Sequence, residues 1–230
     1  MANTSHTSTH SPLLIVIPLI TLGLIGGMVG TFLTTKSTPE TKRTTTNASA
    51  TNGIAKKSLV ESNLAFSVGP KDARVTVVEF IDFECPYCRA SAPAVEQLMK
   101  DYESKSVRFM FRHLPLTTIH PHALRAASGG LCANEQGKFL EAYHAFYQES
   151  SLDDSTSEKV AREIGLDLQK FADCMSADRY KSIITKDITD ALDLKLNGTP
   201  TFFINGRKLE GTQTVEILKA TIDQFLTVSL

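Results

Sequence analysis

No lysine or arginine precedes Lys36, and from Pro12 to Thr35 the chain carries no charged side chain of either sign. Leu, Ile, Val and Gly dominate that run, which is long enough to cross a hydrocarbon core as a helix. It therefore reads as a retained N-terminal anchor occupying residues 1–35 with its short polar tail. A cleaved signal peptide is the rival reading, but residues 1–11 lack the positive charge such a leader needs. The nearest Ala-x-Ala, Ala48-Ser49-Ala50, lies well beyond the apolar end, and no cysteine follows the run to take a lipid. Charge of one sign is also missing overall. With a formal net charge of -1 there is no reason to expect nucleic acid or an acidic substrate.

Large apolar side chains are nearly absent from residues 36–57, where Thr, Ser, Asn, Ala and Lys prevail. Such a segment cannot bury enough surface to fold and reads as a disordered tether. Lys36, Lys42 and Arg43 follow the apolar run, and by the positive-inside rule alone they would hold the rest of the chain in the cytoplasm. Gly23 and Gly27, like Gly26 and Gly30, have small-xxx-small spacing suited to helix pairing, although membrane helices are glycine-rich in any case. Asn47-Ala48-Ser49 is a glycosylation sequon that matters only in a eukaryotic secretory pathway. Folded structure is expected from residue 58 to residue 230.

Cysteine is scarce, with four in the chain, and two of them stand together in Cys85-Pro86-Tyr87-Cys88. The alternating run Val75–Ile81 before them reads as a strand. The amphipathic run from Pro86 to about Tyr102 reads as a helix with Ala90, Val95, Leu98 and Met99 available for burial. Cys85 then sits at a helix N-terminus with Pro86 in the first turn, where its missing N–H costs nothing. Free N–H groups and the helix dipole favour a thiolate there, making Cys85 a nucleophile and a good leaving group. Cys88, one turn on, is the natural resolving cysteine. Half of a zinc site is the competing use of this spacing, but a structural site needs a second ligand pair. Cys132 and Cys174 are isolated, and no His-x-x-x-His follows, so no metal is expected.

Further along, Val107–Arg112 reads as a second strand, parallel to the first across a βαβ unit. From His120 to Leu196 the apolar spacing is helical, with breaks at Asp153–Ser157 and at Gly165, before Asp167. Thr201–Ile204, Asn205-Gly206 and Arg207–Leu209 form a hairpin pattern with a tight turn. A closing helix runs from Thr214 to Leu226. His113, His120, His122 and His144 read mainly as solvated side chains, with the segment from His113 to His122 placed near Cys85. Phe109, Phe111, Phe202 and Phe203 read as core.

Taken together, Val78-Glu79-Phe80 leading to the Cys85–Cys88 motif, Gly137-Lys138-Phe139, and Gly198-Thr199-Pro200-Thr201-Phe202-Phe203-Ile204-Asn205-Gly206 resemble the DsbA-like thiol–disulfide oxidoreductases. The resemblance covers about residues 59–228. It implies an α/β thioredoxin fold with an α-helical insertion over about 118–194, here behind a transmembrane helix and a linker. It implies that Cys85 attacks and carries the mixed disulfide, that Cys88 is its partner, and that Thr199-Pro200 is a cis-proline turn. Substrate then lies against Pro86, Tyr87, Thr199 and Pro200. Glu79 corresponds to an acid beneath the disulfide that takes the proton of the second cysteine, with Arg108 or Arg112 as candidate ion-pair partners; a strand-edge carboxylate with no proton role is the alternative. Members of the family sometimes carry a second disulfide in the insertion, so Cys132 and Cys174 are expected to pair; two buried free thiols are the alternative.

The resemblance implies no cofactor, since the dithiol itself carries the electrons. Its partners are reduced or misoxidised extracytoplasmic proteins and a membrane redox partner that resets the pair. Disulfide chemistry places the domain outside the cytoplasm, against the charge bias of the tether. Donation of the Cys85–Cys88 disulfide is the expected activity. A tethered reductase or isomerase, or a peptide-binding module with idle cysteines, is the alternative.

Overall fold

A computed structural model describes residues 54–227. The apolar stretch 12–35 and nearly all of the tether lie outside the described residues. Among the described residues no helix is long and apolar enough to cross a membrane.

Strands β1 (Phe66–Val68), β2 (Val75–Ile81), β3 (Val107–His113), β4 (Thr201–Ile204) and β5 (Arg207–Glu210) form one sheet in the order β1-β3-β2-β4-β5. β2 and β3 are parallel, with Val75 opposite Val107 and Ile81 opposite His113; the other pairs are antiparallel. β2 is buried along its whole length. Its alternate side chains serve two cores: Val75, Val77 and Ile81 pack on one face, and Val78 and Phe80 on the other. A strand covered on both sides must be apolar nearly throughout, which makes Glu79 within it conspicuous.

The helices follow the chain as α1 (Lys57–Val60), α2 (Pro86–Asp101), α3 (Ala123–Glu135), α4 (Phe139–Gln148), α5 (Thr156–Glu163), α6 (Leu168–Ser176), α7 (Lys181–Asp193) and α8 (Val215–Thr227). Ala92, Val95 and Leu98 of α2 join Leu218 and Ile222 of α8 on the Val77 face; Val60 of α1 and Ala191 of α7 cover the Val78 face. The five helices α3–α7 stand between β3 and β4 as the insertion. Cys132 in α3 is bonded to Cys174 in α6, with 5.9 Å between their Cα atoms. At the breaks, Asp153 Oδ1 accepts from the Ser155 N–H, and Asp167 caps α6 by accepting from the Gln169 and Lys170 N–H groups. Thr214 Oγ1 accepts from the Ile217 N–H at the start of α8.

Asn205 and Gly206 both have positive φ, 46° and 83°, as a two-residue hairpin turn of this hand requires. Gly206 has a second reason to lack a side chain: a Cβ there would lie 2.7 Å from Ile54 Cγ2. The Ala55 N–H donates to the Gly206 carbonyl, so the chain meets the sheet just before α1 begins. β1 and α1 are absent from the sequence reading, because three and four residues are too few to show a period.

Candidate active site

β2 delivers the chain to a short turn, Asp82–Glu84, after which Cys85 occupies the N-cap of α2 and Pro86 its first turn. The Cys85 N–H donates to the Asp82 carbonyl at 3.1 Å, which closes that turn. Thr199-Pro200 is cis and lies across the site, with the Thr199 carbonyl oxygen 3.3 Å from Cys85 Sγ. Both thiols are free. Cys85 is 3% exposed and Cys88 is sealed, whereas Pro86 and Tyr87 between them face solvent. The two thiols thus differ little in exposure.

They differ more in acidity. A hydrogen bond from the Cys88 thiol is the main reason the Cys85 pKa falls to about 5; the Thr199 hydroxyl and the N–H groups of Cys88 and Tyr87 add to it against the opposing effect of burial. The Thr199 hydroxyl favours the thiolate from nearby but makes no well-formed hydrogen bond among the described residues. Cys88 is pushed well above the usual thiol range, by burial first and then by Cys85 and Glu79. At neutral pH the pair holds one thiolate, on Cys85.

Glu79 is 2% exposed, and burial raises its pKa to about 8 against a hydrogen bond from Tyr143. The Tyr143 hydroxyl donates to Glu79 Oε2 at 3.3 Å, and Oε1 has no hydrogen-bond partner among the described residues. Neither arginine expected beside it is there. Glu79 pairs with Phe111, so Arg108 and Arg112, three positions before it and one after, point from the opposite face of the sheet. Arg108 donates to Ser67 Oγ; Arg112 donates to Asp187 and Asp190 in α7 and lies over the Phe80 ring.

Asp82 and Glu84 do not address Cys85. Asp82 Oδ2 accepts from the Leu116 N–H and meets His120 Nδ1 at 2.8 Å, and Glu84 Oε2 accepts from the His122 N–H. The two carboxylates clamp the segment after β3 onto the active-site turn. The expectation of solvated histidines fails at His113, which is buried with neither ring nitrogen hydrogen-bonded among the described residues. β3 runs one residue further than expected, and strand alternation turns His113 inward against Phe83 at 5.7 Å between ring centroids. Burial, then the Arg112 charge, lower its pKa to about 3, so it is neutral. Its ring packs against those of Phe83 and Phe139.

Sequence reasoning missed two hydroxyls. Tyr143 reaches Glu79, and Tyr147, one turn later on α4, donates to the Asp82 carbonyl at 3.4 Å. The available signal was the pair itself: tyrosines at i and i+4 on an apolar helix stripe need partners for their hydroxyls when buried.

Residues 62–224 match a family model described as Thioredoxin. The Na(+)/H(+) antiporter NhaA 3 of Salinispora tropica is 43% identical over 156 residues, which is 67% of this chain and 24% of the antiporter. NhaA of Herminiimonas arsenicoxydans is 31% identical over 156 residues, with 67% of this chain and again 24% of the antiporter covered. The chain spans about a quarter of the length of these curated relatives. Among solved structures, a thioredoxin-like oxidoreductase from Silicibacter pomeroyi DSS-3 is 28% identical with a TM-score of 0.69, covering 76% of this chain and 100% of that one. The thiol-disulfide exchange protein alpha-DsbA2 of Wolbachia pipientis shares the fold at 23% identity and a TM-score of 0.67, over 73% of this chain and 90% of that one.

Proposed function

The chain belongs to the thioredoxin family, and we propose that it is a thiol–disulfide oxidoreductase that works outside the cytoplasm, donating the Cys85–Cys88 disulfide to reduced proteins. The observation that carries this reading is the division of labour in the dithiol: an acidic thiolate at a helix N-terminus above a sealed, protonated thiol.

A substrate thiolate attacks Cys85 Sγ of the oxidised pair, forming the mixed disulfide and breaking the Cys85–Cys88 bond. Cys88 leaves as a thiolate and takes a proton from Glu79, whose pKa of about 8 keeps it protonated at neutral pH. A second substrate thiolate then attacks the substrate sulfur and displaces Cys85, a good leaving group because its thiolate is stable. Two electrons pass from two substrate thiols to the pair. Substrate chain lies over Pro86 and Tyr87 and along Thr199-Pro200. A membrane redox partner restores the disulfide.

The acidity of Cys85 supports the donor direction. A thiolate with a pKa of about 5, in place of the ordinary 9.0, favours the reduced form at neutral pH by about 3 kcal/mol, or about 60 mV. From thioredoxin to DsbA the scale spans about 150 mV. The Cys132–Cys174 bond supports an oxidising compartment. The uncharged run 12–35 supports tethering to the membrane, and it is the disulfide chemistry that supports the outer side of a bacterial cytoplasmic membrane, against the charge bias of the tether.

The test is the reduction potential of the Cys85–Cys88 pair in the full-length chain, equilibrated with glutathione buffers and read by alkylation and mass. A value well above that of thioredoxin, toward about −120 mV, is expected; one near about −270 mV overturns donation and makes the protein a reductase.

A further inference from the structure

The helical insertion meets the redox pair through the hydroxyls of α4. Tyr143 and Tyr147 project from one stripe of that helix, and each reaches a different part of β2 and its following turn. The Tyr143 ring is fixed by its neighbours: Phe111 and Tyr147 lie 5.1 and 4.8 Å away between centroids. Its oxygen therefore has little freedom, and it holds one oxygen of the Glu79 carboxyl while the other has no hydrogen-bond partner among the described residues.

We propose that Tyr143 is a positioning residue for Glu79, pinning Oε2 so that Oε1 faces Cys88 for proton transfer. This rests on Glu79 being the proton partner of Cys88. In the direction that re-forms the disulfide, the Cys88 thiol gives its proton to Glu79 and the thiolate attacks Cys85 Sγ. The Cys85–Cys88 bond forms, the bond from Cys85 to the substrate breaks, and the substrate leaves as a thiolate. The groups facing Glu79 are Cys88 from α2 and Tyr143 and Tyr147 from α4, while its strand partners Phe111 and Phe202 are uncharged. His113, further along β3, is neutral, and Arg108 and Arg112 lie beyond the sheet. The pH dependence of the step thus belongs to Glu79 and Cys88.

The experiment mixes the reduced full-length chain with excess of a small aromatic disulfide over a range of pH. A first phase forms the mixed disulfide on Cys85, and a second releases the remaining aromatic thiolate as Cys88 displaces it. Tyr143→Phe keeps the ring and removes the donor, so Glu79 loses the one bond that favours its carboxylate. The midpoint of the second phase is expected to move up by about one pH unit, making that phase about tenfold slower at neutral pH, with the first phase unchanged. An unmoved second-phase profile overturns the proposal, and so does equal slowing of both phases. Glu79→Gln separates this outcome from failure of the reading beneath it. If Glu79→Gln leaves the second phase intact, the proton role itself fails; if it flattens the profile while Tyr143→Phe shifts nothing, only the positioning fails.

Discussion

Cys85 Sγ lies 3.3 Å from the carbonyl oxygen of Thr199, a residue 114 positions away in the chain. β2 and β4 are antiparallel neighbours, with Phe80 opposite Thr201, so the end of one strand and the start of the other are side by side. The cis bond at Thr199-Pro200 turns the chain across that junction. The thiol at the N-terminus of α2 and the buried bend at Thr199-Pro200 are thereby brought together.

The Thr199 hydroxyl, which makes no well-formed hydrogen bond among the described residues, is one of the groups that acidify Cys85. Thr199→Val keeps the shape and removes the donor. The Cys85 thiolate titration, followed by ultraviolet absorbance, is expected to move up from about 5 by up to one pH unit. A midpoint unchanged from the parent protein would show that the helix N-terminus and Cys88 suffice.

Cys88→Ala removes the resolving thiol and, with it, the largest contributor to the acidity of Cys85. Mixed disulfides on Cys85 are expected to accumulate with protein thiols and to resist release. Cys85→Ala is expected to form none, since Cys88 is sealed from solvent. Trapping through Cys88 in that variant would reverse the assignment of the two cysteines.

Much of this arrangement was legible in the sequence because it is carried by period and punctuation. β2, α2, β3 and the Asn205-Gly206 hairpin each declare themselves within a single window, and they lie where that reading puts them. What was illegible depends on register. Whether Glu79 meets an arginine is decided by which β3 residue stands opposite it, and that residue is Phe111. Tyr143 was visible as an apolar helix position, but its partner lies 64 residues away on another element, and no local pattern announces it.

Arg112 illustrates the same point as a matter of stability. It is completely buried, with Asp187 Oδ1 at 2.6 Å and Asp190 Oδ2 at 2.6 Å, and it ties α7 of the insertion to β3. Arg112→Met leaves Asp187 without its cation in the interior. The expected loss is about 3–5 kcal/mol in urea unfolding, and changing both aspartates to apolar residues in the same background should recover much of it. A loss under about 1 kcal/mol would mean that the cluster is hydrated.

The Cys132–Cys174 bond spans 42 positions, and by loop entropy its removal should cost about 4 kcal/mol if the native state is unstrained. The double variant Cys132→Ala/Cys174→Ala is expected to unfold at lower denaturant while the Cys85 thiolate titrates where it did. A shifted Cys85 titration would show that the insertion's staple reaches the active site.

Glu79 gives a prediction whose sign can be worked through. Its pKa is raised from 4.5 to about 8 by burial, so the folded state prefers the protonated acid. The stability it contributes is complete below about 4.5, declines as pH rises, and stops declining above about 8. A glutamine there does not titrate. Glu79→Gln in the oxidised protein, where Cys85 and Cys88 are bonded and silent, should therefore match the parent in acid and exceed it increasingly up to pH of about 8. At neutral pH the gain is at most about 3 kcal/mol, reduced by whatever the amide leaves unbonded. Thermal unfolding of both proteins across that range measures the difference directly. A constant offset, independent of pH, would mean that the Glu79 carboxyl ionises in the folded protein as it does in the unfolded chain.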